Sequence, residues 1–220
     1  MLLAVFVAVA LLWDSVVILP LKIFVVLLHE VSHGIAAVLT GGSIDRIEIN
    51  QNQGGVCWTR GGSRFVILSA GYLGSMVWGA LLLTLASRTR LDRWICLAIG
   101  LVMLTITAFY VRPILGFGFA FGLLFSVGMA LAGWKLPERG NDLLLKVIGT
   151  TSCLYAVLDI VDDVLRRPGI GSDADMLAQA TFIPGVIWGV LWIALSLAVA
   201  AGALWVSAQG EGRHGIRPAR

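Results

Sequence analysis

Charge is scarce in this chain: Lys, Arg, Asp and Glu make up 13% of its 220 residues, against 58% hydrophobic ones. With a mean hydropathy of +0.91, the balance lies far from that of a water-soluble globular domain and excludes one. The 16 Lys and Arg face 13 acids and are scattered over loops and ends. No basic run exists to grip a phosphate backbone, which argues against nucleic acid as a partner. Cysteine is sparse too. Cys57, Cys96 and Cys153 lack any C-x-x-C spacing, which argues against a thiolate metal knuckle or a disulfide framework, and two of them sit in apolar stretches where a thiol behaves as a small hydrophobe. No basic segment precedes the first apolar run and no small-residue cleavage site follows it, so the start reads as membrane segment rather than secretory signal. Internal repeats are absent as well.

What the chain has in abundance is long apolar runs. Crossing a hydrocarbon layer of about 30 Å takes about 20 mostly apolar residues in a helix. Runs of that order fall at about 2–19, 20–40, 64–86, 94–111, 114–134, 143–165 and 182–206. In the first forty residues, Asp14 and Pro20 also allow a single kinked helix, but two spans fit the pattern better. The expected fold is therefore an all-α polytopic membrane protein with six or seven transmembrane helices. A single membrane domain covers 1–207 and a disordered polar tail covers 208–220. Between 41 and 62 the pattern changes. Paired glycines punctuate Ile44, Ile47 and Ile49, which alternate with polar residues, as in a short β-ribbon or re-entrant loop.

The motif that carries chemistry is His29-Glu30-Val31-Ser32-His33, set inside an otherwise apolar helical run. Residues i and i+4 share a helix face, so His29 and His33 can point at one Zn²⁺. Glu30, one step along from His29, can act as general base toward a water that the metal activates at neutral pH. Three ionisable side chains within two turns of a membrane helix are costly to insert, and a shared metal is the simplest partner that offsets this cost.

Zinc hydrolases usually supply three protein ligands. The best source of the third is Leu158-Asp159-Ile160-Val161-Asp162-Asp163, where Asp159 lies deepest in its span. Asp162 and Asp163 fit equally well as boundary residues paired with Arg166 and Arg167. Asp173 and Asp175 follow Gly169 and Gly171, where loop acids and helix N-caps are common, and are weaker candidates.

With these residues in place, the chain resembles the site-2 protease family of intramembrane zinc metalloproteases, and within it the M50B-like branch. The likeness covers most of the membrane region. His29, Glu30 and His33 match the family's zinc-binding helix, which implies two ligands and a catalytic glutamate. Leu158-Asp159-Ile160 matches two positions of the family's L-D-G motif, which implies Asp159 as third ligand. The Gly41-Gly42 turn and the β-like stretch after it resemble strands that hold an extended substrate. Ser69-Ala70-Gly71-Tyr72-Leu73-Gly74-Ser75 resembles the A-G-P-x-x-N segment, but Tyr72 replaces the proline and Ser75 the asparagine. Close helix approach is the simpler role for Gly71, Gly74 and Ser75.

The resemblance implies a metal site near the cytosolic face. Counting positive residues gives a different answer. Lys22, loops 87–93 and 135–146 and the tail carry ten Lys or Arg and the opposite side six, which would place the His33 end outside. The count depends on how the first forty residues cross, so the resemblance weighs more. The expected function is zinc-dependent hydrolysis of peptide bonds in or near transmembrane segments, with membrane-protein substrates and the lipid bilayer as partners, in a multi-pass protein of the cell membrane. The competing expectation is a non-catalytic zinc-binding membrane protein, against which the intact Glu30 argues. A channel or transporter would spread polar residues along several helices, whereas here they concentrate at two loci.

Overall fold

The computed structural model describes residues 2–167 and 169–214. Its elements run α1 (Leu2–Leu11), α2 (Leu19–Leu39), β1 (Ser43–Ile49), β2 (Gly55–Arg60), α3 (Arg64–Arg88), α4 (Asp92–Tyr110), α5 (Phe117–Lys135), α6 (Glu138–Ile160), α7 (Asp173–Thr181) and α8 (Gly185–His214). A π-helical turn, Val161–Arg166, continues α6. Six helices, α2 to α6 and α8, are long and apolar enough to cross a membrane, the last two counted as Glu138–Arg166 and Gly185–Gln209. The protein is a helical, polytopic membrane protein, with one small two-stranded sheet among the described residues.

The first forty residues differ from the expected pair of spans. Helix α1 has ten residues, about 15 Å of helix against the ~30 Å of a hydrocarbon layer. It ends where Trp13, Asp14 and Ser15 interrupt the apolar run. The Ser15 hydroxyl donates to the Leu12 carbonyl at 2.6 Å, and Lys22 from α2 sits 4.4 Å from the Trp13 ring centroid. Pro20 lies in the first turn of α2, where its missing N–H costs nothing. At the other end of the chain, α8 runs on to His214. Once a helix is established each further residue adds a hydrogen bond, so it carries past the apolar boundary into the polar segment expected from 208. Residues 215–220 of that segment lie outside the described residues.

Helix α2 occupies the centre. Phe24, Val25, Leu27 and Ala37 are fully buried, and Phe24 stacks on Phe125 of α5 with ring centroids 4.2 Å apart. The chain then turns back as an antiparallel hairpin in which Ile47 faces Cys57 and Ile49 faces Gly55, with a bulge between Ile44 and Arg46. The hairpin lies along α2, from Ile44 beside Gly34 to Gly55 beside Glu30. The Arg112 N–H donates to the Ile47 carbonyl at 2.9 Å, and Ile47 bridges to Val111. The far side of β1 is thereby occupied by the end of α4, which leaves β2 as the edge strand. A carbonyl of Ile47 that points away from β2 makes Ile47 and Cys57 a non-hydrogen-bonded pair, so the Cys57 N–H and C=O point outward toward α2.

Candidate metal centre

His29 and His33, one turn apart on α2, set their rings 4.7 Å apart between centroids in a T-shaped arrangement. The carboxylate that meets them comes from Asp173, the first residue of α7. Its Oδ2 lies 3.1 Å from His29 Nε2 and 3.2 Å from His33 Nε2. Ligand atoms of His29, His33 and Asp173 all lie within 4.8 Å of one another, and this is the only such metal-competent group among the described residues. His33 and Asp173 are buried, with 6% and 7% of their surface exposed.

The hydrogen bonding around His33 tests whether a cation fits. Its Nδ1 donates to the Ile67 carbonyl at 2.7 Å, which in a neutral imidazole leaves Nε2 as an acceptor. Nε2 then faces a carboxylate oxygen, acceptor to acceptor, and a positive charge between them, a metal ion or a proton on His33, resolves the pair. Two imidazoles and a carboxylate are also the donor set of catalytic zinc sites that keep a fourth position open. Burial alone would push the Asp173 carboxyl up, but His33 and His29 beside it more than offset that and hold it below the usual carboxylate range.

Room for the imidazoles comes from α3. A Cβ added at Gly71 would overlap His29 Nε2 and lie 2.6 Å from His33 Cε1. Glycine is therefore required where α3 crosses the metal residues. Tyr72 follows it, wholly buried, with its ring edge-on to His29 at 4.9 Å between centroids. Its hydroxyl donates to Asp163 Oδ2 at 2.9 Å. Ser75 turns to its own helix, donating to the Gly71 and Tyr72 carbonyls at 3.1 and 3.0 Å, as a residue of close approach does.

Glu30 is buried on the same helix and packs against the hairpin. A Cβ at Gly55 would lie 2.7 Å from both Cγ and Oε1 of Glu30, and the Cys57 backbone N–H faces its carboxylate. All three cysteines are free. Burial and the Glu30 carboxylate push the Cys57 thiol up to about 12, and Cys57 is not a member of the metal-competent group. A cavity of about 1110 Å³ joins these parts, lined by His29, Glu30, Cys57, Tyr72, Asp159 and Asp173 among others.

On sequence grounds the third carboxylate is Asp159, but the one set against the imidazoles is Asp173. Asp159 lines the cavity wall without joining the metal-competent group. The reason is the path of the chain after α6. The π-helical turn carries Asp162 and Asp163 to Arg166 and Arg167, with Arg167 bridging both acids and lying 2.8 Å from Asp163. The segment after it then folds back and delivers Asp173 to the histidines. A signal for this exists in the sequence: Ser172-x-x-Asp175 is a capping-box spacing that starts a helix and places Asp173 in its first turn.

No curated protein and no solved structure matches the chain. A family profile described as Peptidase M50B-like matches residues 2–203. That match spans nearly the whole described membrane region and includes the histidines, Glu30 and Asp173, and it identifies the chain as a member of the Peptidase M50B-like family.

Proposed function

We propose that the protein is an intramembrane zinc metalloprotease that hydrolyses peptide bonds in or near transmembrane segments of other membrane proteins. The observation that carries this reading is the convergence of His29, His33 and Asp173 beside Glu30 in one buried cavity. His29, His33 and Asp173 would hold the ion. A zinc ion bound there supplies Lewis-acid polarisation of a peptide carbonyl. The remaining work falls to the protein. The Ile67 carbonyl keeps His33 in the tautomer whose Nε2 lone pair faces the site. Glu30 takes a proton from the attacking water and returns it to the leaving amine, as a general base turned general acid.

Residues 55–59 on β2 line the cavity next to Glu30 and suit an extended substrate segment laid beside the strand. This supports a substrate that is locally unwound. The cavity supplies the water that hydrolysis needs at membrane depth.

The test is the Glu30→Gln variant in the purified protein and in cells. Wild type and variant are both expected to hold about one zinc per chain, and cleavage to disappear in the variant, seen as uncleaved proteins accumulating in the membrane proteome. Survival of the cellular function in Glu30→Gln would show that the zinc serves structure or partner binding instead.

A further inference from the structure

Asp173 stands apart from the other members of the metal-competent group, because it sits in the first turn of a nine-residue helix reached through a glycine-containing loop, while both histidines stand on a 21-residue helix. A carboxylate on such a loop holds its place only if something fixes the loop. The surroundings of Asp175 show what does. Its Oδ2 accepts from the backbone N–H groups of Gly171 at 3.0 Å and Ser172 at 3.1 Å, and its Oδ1 from that of Gly169 at 3.3 Å. The Ser172 hydroxyl accepts from the Asp175 N–H at 3.3 Å, closing a reciprocal capping box.

Three converging amides on one carboxylate wrap the chain tightly around it. The wrap uses Gly169 and Gly171 at φ +86° and +85°, a backbone region that residues with a Cβ rarely adopt. The other side of α7 is fixed by packing. Ala174 and Leu177 are fully buried with Tyr72, Ile160, Val164 and Trp192. Asp175 therefore controls the one part of the approach to Asp173 that packing does not: the direction from which residues 169–172 enter the helix.

Resting on the zinc reading above, we infer that Asp175 is a positioning residue for the metal centre, which ties the loop of residues 169–172 into the start of α7 so that the Asp173 carboxylate stands against His29 and His33. Its carboxylate touches neither histidine and acts through the backbone of Asp173. Groups that hydrogen-bond a metal ligand directly are typically worth about 10- to 100-fold in metal affinity, and one that acts through the backbone falls at the lower end of that range.

The experiment is a zinc competition titration against a chelator, on full-length protein in detergent that elutes as a single folded species. Asp175→Ala is expected to weaken zinc binding about tenfold or more, and Asp175→Asn, which keeps an acceptor oxygen for the loop amides, to recover most of that loss. Ser172→Ala removes only half of the capping box and is expected to give a smaller loss in the same direction. It also serves as the readout if Asp175→Ala yields no folded protein. Wild-type affinity in Asp175→Ala, or in Ser172→Ala where only that variant folds, overturns the positioning role and leaves the zinc reading standing. A loss that Asp175→Asn fails to recover overturns it as well. Wild-type protein that binds no zinc overturns the zinc reading itself, a distinct outcome that takes this inference with it.

Discussion

Helices α2 and α3 on one side of the molecule and the α4–α5 hairpin on the other use the same device for opposite ends. In both, glycines let helices approach closely. On α3, the space left by Gly71 is filled by the imidazoles of His29 and His33, and that left by Gly74 by the Ser32 side chain. In the α4–α5 pair, Gly100 meets the Ser126 carbonyl and the Ala130 nitrogen, and Gly133 meets the Arg93 carbonyl. Both contacts admit polar side chains, since Gly122 of α5 makes room for the Thr107 hydroxyl, but only the α3 contact admits ionisable ones, while Gly100 and Gly133 press backbone on backbone. Burial follows the same division, with 78% of the apolar window of α2 buried but only 22% of that of α4. Small residues in a membrane helix therefore say that something comes close, and only the partner side chain says whether chemistry is there.

The most severe break in that comparison is Gly71→Ala. Its methyl overlaps the His29 ring, so metal binding and any hydrolysis are expected to vanish, as metal analysis and a cleavage assay would report. Gly100→Ala should instead cost about 1–3 kcal/mol of stability by overpacking, with zinc per folded chain unchanged. Equal effects from the two would erase the distinction. Next in size, Asp173→Ala is expected to weaken zinc by more than the roughly 100-fold typical of an outer-shell loss, and Asp159→Ala to leave zinc affinity near wild type in the same titration. The reverse order would return Asp159 to the metal. The smallest effect is expected from Tyr72→Phe, which removes the hydrogen bond to Asp163 but keeps the ring against His29. A loss of about 0.5–1.5 kcal/mol in thermal stability, with zinc retained, would assign the hydroxyl to anchoring the π-helical turn.

His29, Glu30 and His33 were legible because one helical turn sets their relation, and a turn is local. The membrane helices were legible for a similar reason: apolar length is read directly, although the first run had to be cut at Trp13 to Ser15, where a polar interruption ends α1 at half a span. The β-ribbon showed itself through paired glycines and alternating isoleucines. Asp173 did not, since its approach to α2 depends on a π-helical turn, two positive-φ glycines and the seating of Ala174 and Leu177 beneath it. None of these is written in residue spacing alone. Asp159 looked stronger because it lies within an apolar span, where an acid attracts attention. Depth in the span points to Asp159, whereas the capping signature at Ser172 and Asp175 marks the helix start that sets Asp173 against the histidines.

An unpaired strand edge is ordinarily a hazard, since any passing extended chain can add to it and begin an aggregate. Here the far side of β1 is closed by the end of α4, and the outer edge of β2 borders the cavity beside Glu30, whose carboxylate already takes the Cys57 N–H. An intact helix, roughly 10–12 Å across, has its backbone groups already paired and nothing to offer such an edge. On the proposed protease reading, the hairpin screens by conformation before any side chain is consulted: what can dock is a segment that has already given up its own hydrogen bonds.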